Sequence, residues 1–269
     1  MPHDGELETE LEKLRLGFEH GGRVARLVLN APPANIVDSR MLASLRHALT
    51  LLESRARLRC IVVSATGPHF SYGASVEEHL PDSIEDTLTQ LHALLRLLLR
   101  APAPTLAVVR GRCLGGGLEL VLACDLILAE EGTTLSCPEI QLGVFAPAAS
   151  ALLPLRIAGG HASRSLLTAA AWSADDALAA GLVDRTCAAG ECETVLQDWL
   201  SRDFLPRSPA GLKLAAHASR WRKLQALETA LPTFERMYLE DLAMDTDGFE
   251  GIRAFQEKRR PQWHDDGSP

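Results

Sequence analysis

The stretch RCLGGGLELVLACDL, residues 112–126, places three consecutive glycines directly before an apolar segment that predicts a helix. Glycines at a strand-to-helix junction let a ligand approach the backbone closely, and the first helical N–H groups there have no intrahelical acceptor. The helix dipole adds about half a positive charge at the same point. The junction is therefore predicted to stabilise an anion, although a tight turn that only packs against its neighbours uses the same residues.

The segments at the start of the chain predict a hairpin and a helix. Residues 14–30 alternate apolar and polar side chains on both sides of Gly21 and Gly22, a dipeptide typical of hairpin turns. Leucines at helical spacing then follow Asp38 and Ser39, either of which is a suitable N-cap.

Strand and helix patterns alternate up to and beyond the glycines. The β-branched run 59–65 predicts a buried strand, and Ser83 with Asp86 resembles a capping box at the start of a Leu-rich helix. Residues 104–111 predict the strand that leads into the glycines, and residues 125–129 predict the strand that follows their helix. Strands interleaved with helices favour an α/β fold.

Helical patterns dominate the last part of the chain. Residues 130–143 predict a loop with little regular structure, and strand signals fade after about residue 147. Ser173 and Gly181 suit the start and the end of a helix. We divide the chain into a core of residues 1–205 and a C-terminal helical region of residues 206–269, which can pack on the core or on a neighbouring subunit. Three amphipathic helices are predicted in that second region, over 211–224, 227–244 and 248–260.

Composition excludes several classes of protein. The 269 residues are 46% hydrophobic and 23% charged, which is typical of globular proteins, and the net charge of −8 counts against nucleic acid as a partner. Six cysteines lie in apolar runs without disulfide or metal spacing and are interpreted as reduced core thiols. The polar N-terminus is not a signal sequence and no apolar run approaches the roughly 20 residues of a membrane span. We therefore expect a cytoplasmic protein without a membrane partner.

Two acidic residues are candidate acid–base catalysts. Glu119 lies three residues after Gly116, so helical geometry places it over the first turn at the glycines. Glu139 follows Pro138 in a segment without basic residues. Two such carboxyls across a cleft can divide acid and base roles, but the sequence by itself favours an exposed first-turn Glu and a solvated loop Glu.

A second site where backbone N–H groups can bind an anion is predicted at residues 70–80. Gly73 permits an unusual backbone angle, and the small residues Ala74 and Ser75 allow a ligand to approach their N–H groups. His69 and His79 lie on either side of Gly73, Ala74 and Ser75 and are interpreted as surface or packing residues. The nine histidines of the chain show no HExxH or comparable spacing, and we predict no metal site.

Six blocks, taken together and in order, resemble the crotonase, or enoyl-CoA hydratase/isomerase, superfamily. They are NAPPANIVDSRML (30–42), GPHFSYGASVEEH (67–79), GRCLGGGLELVLACDLILA (111–129), CPEIQLGVFAPAAS (137–150), WSADDALAAGLVDR (172–185) and GFEGIRAFQEKRRPQW (248–263). The resemblance implies a crotonase-like spiral of β-β-α turns, with a C-terminal helical trimerisation region and a homotrimer or a dimer of trimers.

The resemblance also implies a site for an acyl-CoA substrate. By similarity, the backbone N–H groups of Ala74 and Gly116 form an oxyanion hole for the thioester oxygen. Glu119 and Glu139 match the two hydratase carboxylates, and the presence of both favours addition of water. Coenzyme A enters as part of the substrate, and no other cofactor is expected.

Further residues are placed near the substrate by the same resemblance. They are Ala34, Asn35, Ile36, Gly73, Ser75, Val76, Phe145, Phe255 and Lys258. Residues 34–36 match a segment that lies along CoA, while Phe255 and Lys258 match residues that approach CoA from another chain. Pro33 replaces a residue that is often basic in the family, which puts one phosphate contact in doubt.

Two departures from the family pattern bear on the substrate. Ser75 stands where many members have Asp, and residues 144–150 replace a glycine-rich stretch. Phe145, Ala146 and Pro147 suit a rigid apolar wall for a ring, and they suit core packing equally well. Blocks 67–82 and 143–150 most resemble family members that hydrate a cyclic dienoyl-CoA.

We therefore expect hydration of cyclohexa-1,5-diene-1-carbonyl-CoA to 6-hydroxycyclohex-1-ene-1-carbonyl-CoA, a step of anaerobic benzoyl-CoA degradation. General enoyl-CoA hydration, isomerisation and acyl-CoA hydrolysis on the same fold are the alternatives. A non-catalytic acyl-CoA or RNA binder is a further alternative, and the negative net charge counts against RNA.

Overall fold

Two β-sheets form the framework of the protein, which a computed structural model describes over residues 6–80, 82–242, 244–245 and 247–264. The strands are β1 (Glu6–Leu11), β2 (Leu14–Glu19), β3 (Val24–Leu29), β4 (Cys60–Ala65), β5 (Thr105–Val109), β6 (Arg112–Leu114), β7 (Leu126–Glu130), β8 (Thr134–Ser136), β9 (Trp172–Ser173) and β10 (Arg185–Cys187). The larger sheet has the order β1-β2-β3-β4-β5-β7-β10, and the smaller one has the order β6-β8-β9.

Nine α-helices accompany these strands in the described part of the chain. They are α1 (Ser39–Leu52), α2 (Ile84–Leu99), α3 (Gly116–Ala123), α4 (Pro147–Leu152), α5 (Gly159–Thr168), α6 (Ala174–Ala179), α7 (Cys192–Trp199), α8 (Pro209–Arg236) and α9 (Glu250–Gln256). Short 3₁₀ turns occur at Glu77–His79, Glu139–Leu142 and Leu153–Leu155, and π-helical segments occur at Leu200–Phe204 and Met237–Leu242.

From β5 to β8 the chain winds as a spiral, because successive strands there alternate between the two sheets. β5 lies in the larger sheet, β6 lies in the smaller sheet, and α3 then leads back to β7 in the larger sheet. β3, β4, β5, β7 and β10 pair in parallel, and most of their apolar side chains are buried, as expected of parallel strands covered by helices. β1, β2 and β3 form an antiparallel edge.

Several local predictions are confirmed. The hairpin β2–β3 forms across Gly21 and Gly22, both of which have positive φ. Asp38 is the N-cap of α1 and accepts a hydrogen bond of 2.9 Å from the Met41 N–H group. Ser173 caps α6 in the same way, and Gly181 follows the end of that helix with φ of +79°.

Other local predictions are wrong. The Ser83 side chain makes no cap bond at α2 and instead donates to the Leu80 carbonyl, so the predicted capping box with Asp86 does not form. The predicted loop 130–143 contains β8, which pairs with β6. β9 and β10 are short strands in the part of the chain that is predicted to be helical, and β1 is a further strand that the sequence patterns do not predict.

The long C-terminal helix α8 also differs from the prediction. It runs without a break from Pro209 to Arg236 and includes Pro232, so the first two of the three predicted helices are one. Leu227 and Leu231 of α8 are fully buried in the main hydrophobic core. The domain boundary near residue 205 stays a prediction.

Buried polar contacts fasten α8 to the core. Arg220 is 1% exposed and binds Asp125 through two hydrogen bonds of 2.8 and 2.5 Å. It also donates to the carbonyls of Ala101 and Ala103, each at 2.8 Å. The guanidinium therefore satisfies the carbonyl groups of the turn between α2 and β5 as well as a carboxylate.

The cysteines behave as predicted. All six are free thiols, of which five are buried and Cys192 is half-buried. None of the helices in the described residues has the length and apolar character needed to cross a bilayer.

Candidate active site

A cavity of about 250 Å³ opens between the smaller sheet and the C-terminal helix α9. Most of its lining is apolar, with a single carboxyl side chain and one imidazole among the lining residues. The residues around it are Tyr72, Gly73, Ala74, Val76, His79, Leu114, Gly115, Pro138, Glu139, Gln141, Leu142, Val144, Ile252 and Phe255. An apolar cavity with few polar groups is a suitable site for a small acyl group.

The two predicted oxyanion-hole residues lie next to each other; Ala74 lines this cavity and Gly116 does not. A Cβ atom placed on Gly116 would be 3.1 Å from the Ala74 nitrogen. Gly73 precedes Ala74 with φ of +100°, and a Cβ there would be 2.9 Å from the Leu114 carbonyl oxygen, so only glycine fits. Gly116 is the first residue of α3, where N–H groups lack intrahelical acceptors and the helix dipole favours negative charge.

Glu119 lies one turn into α3 and is almost completely buried. Its side chain is held by the N-terminal end of α4, where the Ala149 N–H group donates to Oε1 at 2.8 Å. Burial raises the pKa of Glu119 to about 7, although the backbone N–H groups of Ala149 and Ala148 oppose that shift. Glu119 is therefore a buried acid with a raised pKa, and the alternative of an exposed acid in the first helical turn is wrong.

Glu139 lines the cavity from the 3₁₀ turn that follows β8. Burial, with a smaller effect of the nearby charge of Glu119, raises its pKa to about 8. Its Oε2 atom is buried and has no hydrogen-bond partner among the described residues. The Oε1 atom lies against Gly115, where φ is +49° and a Cβ would overlap the carboxyl group.

Strand pairing brings these two acids together. Leu114 of β6 pairs with Ser136 of β8, and the Gly115 N–H group donates to the Ser136 carbonyl at 2.9 Å. This register sets the glycine junction beside the start of the turn that carries Glu139. Glu139 lines the cavity, whereas Glu119 does not line it but lies close enough for its charge to act on Glu139.

The predicted CoA segment 34–36 lies outside the cavity lining. Asn35 is fully buried, and its side chain accepts from the Ala31 N–H group and donates to the carbonyls of Thr66 and His69, all at 2.9 Å. This side chain therefore fixes two loops. The Ala34 carbonyl accepts from the Tyr72 N–H group at 2.8 Å, which links the segment to the cavity rim.

The other residues predicted to lie near the substrate divide into those that line the cavity and those that do not. Val76 and Phe255 line the cavity, and Phe255 does so within its own chain, at its rim, with 58% of its surface exposed. Ser75, Phe145 and Lys258 do not line it. Phe145 packs against Tyr238 with ring centroids 5.5 Å apart, and Lys258 is exposed in the turn after α9.

Sequence reasoning missed several residues of the cavity. His79 lines it, with Nδ1 2.6 Å from the Ser75 carbonyl oxygen, and burial lowers the pKa of its imidazole. Gln141, Leu142 and Ile252 are also in the lining. No pattern in the sequence marks Ile252, because it reaches the cavity only when α9 packs across the Glu139–Leu142 turn. The described residues contain no cluster of three or more His, Cys, Asp or Glu side chains suited to a metal ion.

Known proteins match this chain along most of its length. Residues 19–266 match the family model described as enoyl-CoA hydratase/isomerase. The chain is 40% identical to the cyclohexa-1,5-dienecarbonyl-CoA hydratase of Thauera aromatica, over 93% of this chain and 96% of that protein. It is 28% identical to the mitochondrial methylglutaconyl-CoA hydratase of Rattus norvegicus, over 95% of this chain and 84% of that protein.

A solved structure shares the fold. An enoyl-CoA hydratase from Mycobacterium avium subsp. paratuberculosis superimposes with a TM-score of 0.83 and 24% identity, over 95% of this chain and all of that one. The likeness confirms the predicted crotonase-like α/β spiral. The predicted trimerisation through the C-terminal helices stays a prediction.

Proposed function

The chain is an enzyme of the enoyl-CoA hydratase/isomerase family, and we propose that it adds water to a cyclic dienoyl-CoA thioester. One arrangement supports this proposal: Glu139 and Ala74 line an apolar cavity, Gly116 adjoins Ala74, and Glu119 follows one turn further along α3. Gly116 and Glu119 lie outside the cavity lining, and both carboxyl groups have raised pKa values. Hydration needs both a base and an acid, and neutral pH suits pKa values near 7 and 8 for these roles.

The raised pKa values support a division of acid and base roles within the pair. With values of about 7 and about 8, Glu119 and Glu139 together hold one proton near neutral pH. The ionised carboxyl then takes a proton from water, and the protonated one supplies the proton that completes the addition. Because two interacting carboxyls titrate as a pair, these roles describe the singly protonated state of the pair.

The oxyanion pair stabilises the intermediate. The Ala74 and Gly116 amides hold the thioester oxygen while the hydroxyl adds to the ring carbon β to the carbonyl, which generates an enolate. In a 1,5-diene the negative charge extends through the second double bond. A proton then adds at the far end of the diene, and the remaining double bond shifts to give 6-hydroxycyclohex-1-ene-1-carbonyl-CoA.

The choice of a cyclic substrate rests on similarity. The relative from Thauera aromatica is named for the cyclic diene and matches almost the whole chain at 40% identity. The small apolar cavity, closed by Val144, Leu142 and Ile252, suits a ring. The proposed enzyme needs no cofactor, since coenzyme A arrives as part of the substrate.

We also propose that the enzyme is a homotrimer or a dimer of trimers. Leu214 and Trp221 of α8 are 68% and 70% exposed in the single chain and lie seven residues apart, on one face of the helix. Exposed apolar side chains of this size on one helix face are typical of an interface.

Turnover of two thioesters tests the proposed reaction. Purified protein is mixed with cyclohexa-1,5-diene-1-carbonyl-CoA and with crotonyl-CoA, and mass spectrometry identifies any product that gains 18 Da. We expect hydration of the cyclic diene at a higher kcat/KM than hydration of crotonyl-CoA. Thiol titration detects free CoA, which would indicate hydrolysis, and a shifted double bond without gain of mass would indicate isomerisation.

Two variants test the carboxyl roles in the same assay. Glu119→Gln and Glu139→Gln are each expected to lower kcat by about 10² to 10⁴ and to leave binding of the thioester largely unchanged. The matched control is Glu53→Gln, an exposed acid after α1, with turnover like that of the wild type. A wild-type rate in either variant would remove that residue from the mechanism.

A further inference from the structure

Tyr238 is a buried phenol next to the candidate active site. It is 1% exposed and lies in the π-helical segment Met237–Leu242, directly after α8. It shares one apolar cluster with Val144 and Ile252, and both of these side chains line the cavity. π-Helical turns are rare and are frequent at functional sites.

The hydroxyl of Tyr238 has no hydrogen-bond partner among the described residues. A buried hydroxyl without a partner costs about 1 to 3 kcal/mol, so most native proteins satisfy such groups. Only four buried side-chain polar atoms in the described residues lack a hydrogen-bond partner. Besides the Tyr238 hydroxyl, one of them is Oε2 of Glu139. The remaining two, on Arg59 and His92, do not lie on cavity-lining residues.

The phenol lies outside the cavity lining, but near enough to both acids for their charges to act on it. Besides burial, the charges of Glu139 and Glu119 raise the pKa of Tyr238. The hydroxyl is therefore protonated at neutral pH and has a hydrogen to donate. A hydroxyl group arriving beside Glu139 could accept that hydrogen bond and donate one to Oε2, so that each unpartnered atom gains a partner.

We propose that Tyr238 is a third polar residue of the acyl site, where its phenol hydrogen-bonds the hydroxyl that water delivers to the substrate. This inference rests on the proposed hydration. It makes Tyr238 a specificity-determining residue that favours thioesters bearing a hydroxyl next to Glu139. It also explains why a tyrosine, and not a phenylalanine, is buried against Phe145.

Binding of two ligands to two proteins tests the inference. The proteins are Glu119→Gln, which suppresses turnover, and the double variant with Tyr238→Phe in addition. The ligands are 6-hydroxycyclohex-1-ene-1-carbonyl-CoA and cyclohex-1-ene-1-carbonyl-CoA, which lacks the hydroxyl. Isothermal titration is expected to show that Tyr238→Phe weakens the first ligand about three- to tenfold, the range of one neutral hydrogen bond, and leaves the second unchanged.

The outcomes separate this inference from the proposed function. Equal affinity of both proteins for the hydroxylated ligand would overturn the role of Tyr238. An equal loss of affinity for both ligands would also overturn it, because that result indicates a packing role. If wild-type protein turns over neither thioester and binds neither ligand, the proposed function itself is wrong.

Stability gives a second readout on Tyr238→Phe alone. The substitution removes an unpartnered hydroxyl, so Tm is expected to stay the same or rise while kcat for the cyclic diene falls about tenfold. A structural role would instead lower Tm. Wild-type kcat in a folded Tyr238→Phe variant would contradict the inference.

Discussion

Because Glu119 and Glu139 are removed from water, each holds its proton to a higher pH than a carboxyl in the unfolded chain. The ordinary value is 4.5, and the folded values are about 7 and about 8. The folded state therefore binds more protons than the unfolded state between these limits. By linkage, the free energy of unfolding falls as pH rises through this window.

Replacing one acid should remove part of this pH dependence. For Glu119→Gln we expect the free energy of unfolding to change less between pH 5 and pH 9 than in the wild type, by on the order of 3 kcal/mol, since one pKa unit corresponds to about 1.4 kcal/mol. The variant should also be the more stable protein at pH 9. Urea titrations at both values measure this, with Glu53→Gln as the exposed control. Equal slopes for wild type and Glu119→Gln would show that Glu119 is not buried as described.

The sequence predicts which two acids belong to the site, but not how deeply each of them is buried. Glu119 and Glu139 are visible as acids in apolar surroundings, and the resemblance pairs them. Their raised pKa values depend on burial by side chains distant in the sequence, such as those of α4. Tyr238 carries no signal at all, because one tyrosine in a helical pattern is typical of ordinary packing.

At the scale of elements, the missed strand β8 explains why the meeting of the two acids could not be predicted from local patterns. Its three residues, TLS, are too short to show alternation, and their pairing with β6 is what aligns Gly115 with Glu139. The longer elements β2, β3, β4 and α1 were predictable, since turn glycines, β-branched runs and a capping aspartate act locally.

The buried contacts of Arg220 on α8 also give a prediction at the scale of elements. Arg220→Met leaves Asp125 buried without its partner and frees the carbonyls of Ala101 and Ala103, so we expect the free energy of unfolding to fall by about 3 to 5 kcal/mol. Arg222→Met, an exposed position on the same helix, should change it by less than about 0.5 kcal/mol. Denaturant titrations compare the two. Similar stability in both variants would mean that the buried pair does not hold α8 in place.

At the scale of the whole molecule, the C-terminal helices serve two purposes. α8 contributes Leu227 and Leu231 to the main core, and the chain after it supplies Ile252 and Phe255 to the cavity. A different face of α8 exposes Leu214 and Trp221. A change at that exposed face can therefore affect assembly without removing any side chain from the core or the cavity.

Trp221→Glu tests the proposed assembly. We expect wild-type protein to have a mass of three or six times 29.1 kDa in light scattering. Glutamate at the centre of an apolar interface would place a charge where a large aromatic side chain is buried, so the variant should shift towards single chains at micromolar concentration. Leu51→Glu, at an exposed apolar position at the end of α1, is the matched control and should keep the wild-type mass. Because Trp221 lies outside the cavity lining, any loss of turnover in Trp221→Glu would be an effect of assembly on the site. A wild-type mass of 29.1 kDa, or an unchanged mass in Trp221→Glu, would contradict an interface on this face of α8.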